Sequence, residues 1–194
     1  MWSRFDYTGL VSAPPNRIFE RDLQLKVGDK RVDLTHLGSA HTRGDILVHI
    51  PDDKTLFTGD LVFAGGHPVI WAGPIDNWIA ICDHILGLDV DIIVPGHGPI
   101  SEKPAVRELK AYFIHIRDEA LRHYKDGVPF EIAANKINLD EFSGWLDPER
   151  IIINVASLYR EFSGSKAELD RMPLFAAMKR YRDARCEAHG HNHK

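Results

Sequence analysis

Two histidines and one aspartate stand in glycine-bearing segments along the first half of the chain: His41 in Ala40-His41-Thr42-Arg43-Gly44-Asp45, Asp60 in Thr58-Gly59-Asp60, and His97 in Pro95-Gly96-His97-Gly98. Imidazole and carboxylate are ordinary ligands of Zn²⁺, binding at about 2.0–2.2 Å, and a set of three leaves a position open for water. Glycines beside such ligands let the backbone bend sharply and keep bulk away from whatever binds. A lone histidine near glycine is usually a solvated loop residue, so the ordered set of three carries the reading rather than any one member. No side-chain nucleophile with a matching base is visible, and hydrolysis by a metal-activated water requires none.

Rigid elements must bring these side chains together. Leu23–Val27 and Val32–Leu37 alternate around a Gly28-Asp29-Lys30 turn, which predicts a β-hairpin with His41 just past its second strand. Ile46–Ile50 and Thr55–Thr58 read as strands flanking a Pro51–Lys54 turn, with Asp60 at a strand end. Asp76 is the expected N-cap of a short amphipathic helix through Trp78, Ile81, Cys82, Ile85 and Leu86, stopped by Gly87. Val90–Val94 is an apolar strand broken by Pro95-Gly96, which leaves His97 in a loop. The pattern then becomes helical. Val106, Leu109, Phe113, Ile116, Ala120 and Tyr124 mark one face of a long helix that starts near Pro104, and Phe130–Ile137 is a second helix. Asp147-Pro148-Glu149 opens a third, running towards Phe162 and Gly164, beyond which a charged tail frays.

The order of the three segments, with 19 residues from His41 to Asp60 and 37 from Asp60 to His97, resembles the later motifs of the metallo-β-lactamase-fold hydrolases, over roughly Leu23–Ser101. The resemblance implies an α/β (α+β) fold, half of an αβ/βα sandwich: one mixed β-sheet with covering helices, plus a C-terminal helical extension. It implies that His41 serves a first metal, that Asp60 bridges two metals and is the catalytic carboxylate, and that His97 serves the second. A shared hydroxide would then attack an ester, thioester or lactone carbonyl. Aspartate rather than cysteine at the bridging position points away from the cysteine-ligated β-lactamases. Asp45 is a candidate partner for the far nitrogen of His41, because ligating imidazoles usually donate their other N–H to an oxygen. Trp71 is a candidate pocket wall, with core packing an equal alternative.

The family's main motif, His-x-His-x-Asp-His, should precede this region and is absent from the sequence. The expectation is two zinc ions in an intact enzyme and at most one, weakly held, in this chain. The expected function is therefore a zinc-dependent hydrolase present as a weakly active or inactive fragment, and the alternative is a non-catalytic interaction module built on the same fold. Arg4-Phe5-Asp6-Tyr7 opens without a strand or cap signal, which favours a fragment whose missing residues lie upstream of Met1. The inner face of the sheet should be apolar, so self-association or an N-terminal half-domain is the expected partnership.

A net charge of −4 with interspersed signs argues against nucleic acid and against a membrane surface, leaving a small-molecule substrate. The absence of a leader or long apolar run suggests a cytoplasmic protein. The expected organisation is 1–103 as the C-terminal part of a metallo-β-lactamase-like domain, 104–185 as a helical segment on it, and 186–194 as a histidine-rich flexible tail. Cys82 and Cys186 fit no metal or disulfide spacing. The tail His189-Gly190-His191-Asn192-His193 superficially resembles the missing motif but lacks its aspartate. His36, His49, His67, His84, His115 and His123 match no ligand position and read as structural.

Overall fold

The protein, described by a computed structural model, is defined over residues 5–188, so the histidine-rich tail lies outside the described residues. Five strands form one mixed sheet in sequential order: β1 (Asp22–Val27), β2 (Lys30–Thr35), β3 (Leu47–Ile50), β4 (Thr55–Phe63) and β5 (Ile92–His97). The first three pairings are antiparallel. β4 and β5 are parallel, because the crossover between them is helix α1 (Ile75–Gly87) rather than a tight turn. The β1–β2 hairpin turns at Gly28, whose φ of +63° favours glycine.

Register shows that the two faces of this sheet differ in kind. Leu23, Leu34, Val48, Phe57 and Val94 pair in sequence across all five strands and therefore share one face. Leu25 and Val32 stand on the same face, as do Ile50, Thr55 and Ile92. These side chains remain half-buried or exposed, Phe57 at 41% and Ile92 at 43%. On the opposite face Leu47, Leu56 and Ile93 are buried in a continuous core with Trp78 and Ile81 of α1 and with Val106 and Phe113 of α2 (Lys103–Lys125). That same face turns polar at the hairpin, where Gln24 donates to Asp33 and Arg31 pairs with Asp33. The helices thus cover only the β3–β5 end, and the apolar face opposite them has no cover among the described residues.

Behind the sheet lie α3 (Phe130–Lys136), α4 (Ile151–Phe162) and α5 (Arg171–Ala188). Every residue of α4 from Ile151 to Leu158 is buried, so it is a central rather than a surface helix. Several expected boundaries move. Asp76 does not cap α1: it lies in the first turn and pairs with Arg117 at 2.8 Å, with Pro74 at the cap position. Asp147 adopts a left-handed conformation and pairs with Arg150 rather than capping, and a 3₁₀ turn over Pro148–Arg150 precedes α4. The segment expected to fray forms α5, because Leu174, Ala177 and Tyr181 recur at helical spacing and are buried. Strand β5 runs through Pro95-Gly96 to His97, since register shifts against β4 leave Pro95 without a required ladder N–H.

One core histidine is unusual. His67 is fully buried, packs edge-on against Tyr112 and Trp145, and neither ring nitrogen meets a hydrogen-bond partner. Burial lowers its pKa to about 4; the Arg150 charge adds to this, and nearby Asp147 and the Phe142 backbone only partly offset it. The unfolded chain protonates this ring near 6.5 and the folded one only near 4, so stability is complete above 6.5 and falls as pH drops through that window. Between pH 7 and 5 the ring should therefore cost about 2 kcal/mol. Urea unfolding should show that excess loss for the parent over His67→Phe across those two pH values, and parallel losses would contradict it.

Candidate active site

The site is built where β4 and β5 cross closely. A Cβ on Gly96 would lie 2.6 Å from the Gly59 carbonyl carbon and 2.7 Å from the Asp60 backbone nitrogen, and one on Gly98 would lie 2.0 Å from the Ala64 carbonyl oxygen. Only glycine allows the two backbones to approach this way. Asp60 therefore lies inside β4 at an irregularity in the pairing, not at a strand end as its sequence context suggested. His97 is the last residue of β5, with its ring stacked on Phe63 at 4.5 Å, and is not a loop residue.

These elements bring His41, Asp60 and His97 together. His41 Nε2 is 3.3 Å from Asp60 Oδ2, and His97 Nε2 is 3.5 Å from Asp60 Oδ1. Two zinc ligands at tetrahedral angles stand about 3.4 Å apart, so each separation suits a pair of donors sharing one ion. Each carboxylate oxygen faces its own imidazole, and among the described residues no group of three or more His, Cys, Asp or Glu forms a metal-holding cluster. The donor set reaches two ligands at each of two positions and does not by itself close a zinc site.

The far nitrogen of His41 meets the Val69 carbonyl at 2.7 Å. A carbonyl can only accept, so Nδ1 carries the hydrogen and a neutral ring presents the lone pair of Nε2 to the carboxylate. Two acceptors at 3.3 Å repel unless a positive charge, a proton or a metal ion, lies with them. Asp45 does not orient His41. Its carboxylate accepts from the Thr42 backbone N–H and from the Thr42 hydroxyl, closing the loop locally.

Val69 belongs to an irregular segment, His67–Pro74, whose backbone is held by a stripe of side chains on and just before α4. Arg150 donates to the His67 carbonyl, and Asn154 accepts from Ile70 N–H while donating to the Pro68 carbonyl. Ser157 donates to the Ile70 carbonyl, Arg160 to those of Trp71 and Ala72, and Glu161 accepts from Ile75 N–H. The segment in turn pins the His41 loop, through Ala72 N–H to the His41 carbonyl and Gly73 N–H to that of Ala40. Sequence reasoning missed this support. Its signal was present in the spacing of Arg150, Asn154, Ser157 and Glu161, which recur every three or four residues on an otherwise apolar helix.

An open cavity of about 1130 Å³ adjoins His41, with Trp71 in its wall and Arg160, Lys166 and Arg171 around it. Trp71 is partly buried and has the Arg171 guanidinium 4.7 Å above its ring. Cys82, which matched no metal or disulfide spacing, is buried and its thiol is pushed up to about 12, chiefly by burial.

Residues 1–97, half of the chain, match the metallo-beta-lactamase superfamily. The chain belongs to the metallo-β-lactamase superfamily. It is 29% identical over 89 residues to the acyl-coenzyme A thioesterase MBLAC2 of Homo sapiens, covering 43% of this chain and 31% of that protein. It is also 29% identical over 80 residues to the 2,4-dinitroanisole O-demethylase subunit alpha of Nocardioides sp. (strain JS1661), covering 39% and 23%. The chain thus spans less than a third of the length of these relatives. Among solved structures, the sec-alkylsulfatase Pisa1 of Pseudomonas sp. superimposes with a TM-score of 0.61 at 14% identity, covering 78% of this chain and 27% of that one. A metallo-beta-lactamase family protein of Thermus thermophilus does so at 0.59 and 16%, covering 78% and 51%. Such identities show the shared fold, mixed sheet and helices alike.

The Gly96 contact gives a direct test of this geometry. Gly96→Ala should cost about 1–3 kcal/mol, because the new methyl meets Asp60 Oδ1 and, behind that side chain, backbone that cannot swing away. It should also displace Asp60. Thermal melts of Gly96→Ala and of Gly87→Ala, where a Cβ meets open space, should differ by that amount.

Proposed function

We propose that this chain supplies the C-terminal half-site of a zinc-dependent hydrolase acting on an ester-type bond. The observation that supports the reading is the pairing of each Asp60 oxygen with one imidazole, His41 and His97, while the other nitrogen of His41 is committed to Val69. A thioester is favoured over other esters by likeness to relatives named as acyl-coenzyme A thioesterases. Two zinc ions belong to the assembled site, and this chain alone holds at most one, weakly. The remaining ligands come from a segment with the His-x-His-x-Asp-His pattern, which this sequence does not contain.

The open row from Leu23 to Val94 is the surface on which such a segment would bring a second sheet, because packed sheets bury apolar inner faces against one another. Without that cover the chain self-associates through the same face. No helix among the described residues is long and apolar enough to cross a membrane, and a cytoplasmic setting fits the reading.

Isothermal titration tests this on the full chain with His189, His191 and His193 changed to alanine, so that the tail cannot compete. Zinc should bind weakly, His41→Ala and His97→Ala should each weaken it about tenfold or more, and thioester hydrolysis should stay near background. Zinc binding unchanged in the double variant would refute the half-site. Metal-dependent hydrolysis abolished by Asp60→Asn would show instead that this chain is self-sufficient. A zinc-loaded assembly with a partner half that hydrolyses no ester would favour the non-catalytic module.

A further inference from the structure

The cavity beside His41 differs in charge from the chain as a whole. The protein carries a net charge of −4, yet this cavity is lined by four cations, Arg43, Arg160, Lys166 and Arg171, against two carboxylates, Glu161 and Glu168. Neither carboxylate cancels the cluster. Glu168 approaches Arg43 at 4.0 Å with both side chains almost fully exposed, so that pair is weak. Glu161 is turned to the Ile75 N–H, and with both carboxylates counted the lining still holds two more cations than anions. Among the described residues, Arg160, Lys166 and Arg171 make no ion pair with any carboxylate.

The placement of the cations is as informative as their number. Arg160 is fixed by donating one nitrogen to the Trp71 and Ala72 carbonyls. Arg171 lies 4.7 Å above the Trp71 ring, which orients its planar fork and leaves the edge N–H groups without a carboxylate. Lys166 is exposed on the connector between α4 and α5. A fork held on an aromatic face beside a fixed guanidinium matches the two oxygens of a carboxylate or phosphate. The cavity, at about 1130 Å³, is large enough for such a group on an extended substituent, and it reaches His41 itself.

We infer that this cavity is an oxyanion-binding subsite, in which Arg171, Arg160 and Lys166 hold the anionic end of a substrate while its scissile bond lies at His41 and Asp60. As a subsite for substrate it rests on the hydrolase reading; as an anion site it does not. The substrate class is an ester or thioester that carries a phosphate or carboxylate at a distance from the bond cleaved. The subsite's three cations come from residues 160–171, in the helical extension rather than in the sheet.

The test measures binding without catalysis. Metal-free full-length protein is titrated with inorganic pyrophosphate in one arm and succinate in the other, following tryptophan fluorescence and heat. Saturable millimolar or tighter binding is expected in at least one arm, and which arm identifies phosphate or carboxylate as the preferred oxyanion. Arg171→Gln and Lys166→Gln should each weaken it about tenfold, the loss of one charge-assisted contact. Arg171→Lys should recover only part, and Lys179→Gln, on the same helix but outside the cavity, should change nothing. Circular dichroism confirms that each variant is folded. Absence of binding in both arms, or binding insensitive to Arg171 and Lys166, overturns the inference. Binding that obeys these variants in a protein that never hydrolyses an ester, even with its missing ligands supplied, would refute the hydrolase reading and leave the anion site standing.

Discussion

A buried stretch of irregular backbone has to find hydrogen-bond partners one group at a time, and His67–Pro74 is such a stretch. Its partners are side chains from one helical stripe, Arg150, Asn154, Ser157, Arg160 and Glu161. Asn154 is fully buried and uses its amide oxygen and nitrogen on both sides of Val69, with Tyr112 as a third partner. The Val69 carbonyl is thereby aimed at His41, Trp71 at the cavity, and Pro74 at the start of α1. The helical half of the chain is thus part of the site's construction, although among the described residues the imidazoles beside the Asp60 carboxylate, His41 and His97, both come from the sheet half.

The sheet contributes the other half of the geometry and leaves it unresolved electrostatically. Gly96 lets β5 pass against Asp60, and the carboxylate ends up between two imidazoles with one oxygen for each. An Nε2 lone pair opposite a carboxylate is an arrangement that a cation stabilises and that nothing else among the described residues satisfies. The uncovered apolar row from Leu23 to Val94 is the packing counterpart of that state: among the described residues neither the ligand set nor this sheet face is completed.

The convergence of His41, Asp60 and His97 was legible in the order and spacing of the three glycine-bearing segments, which need no knowledge of the fold. So was the helix through Val106, Leu109 and Phe113, whose period is unbroken. What failed did so for identifiable reasons. Sequence context puts Asp60 at a strand end and His97 in a loop because Gly59 and Pro95-Gly96 normally interrupt a ladder, whereas parallel pairing with shifted register carries β4 past Asp60 and β5 as far as His97. Asp45 was a plausible partner for His41 by proximity in sequence, but the oxygen that serves comes from Val69, 28 residues away. Helix α5 was hidden by its charge, since Leu174, Ala177 and Tyr181 are its buried residues among those described, with Met178 packed beside them. A long-range carbonyl and a sparsely apolar helix leave little trace in local pattern.

The state of the site turns on which nitrogen of His41 carries the hydrogen. Long-range ¹H–¹⁵N correlation spectroscopy on metal-free protein labelled at histidine, well above the usual imidazole titration range, reports this directly once His41 is assigned by its alanine variant. The Nδ1–H tautomer is expected, with Nε2 unprotonated and facing Asp60. An Nε2–H tautomer donating to Asp60, with Nδ1 bare against the Val69 carbonyl, would contradict it.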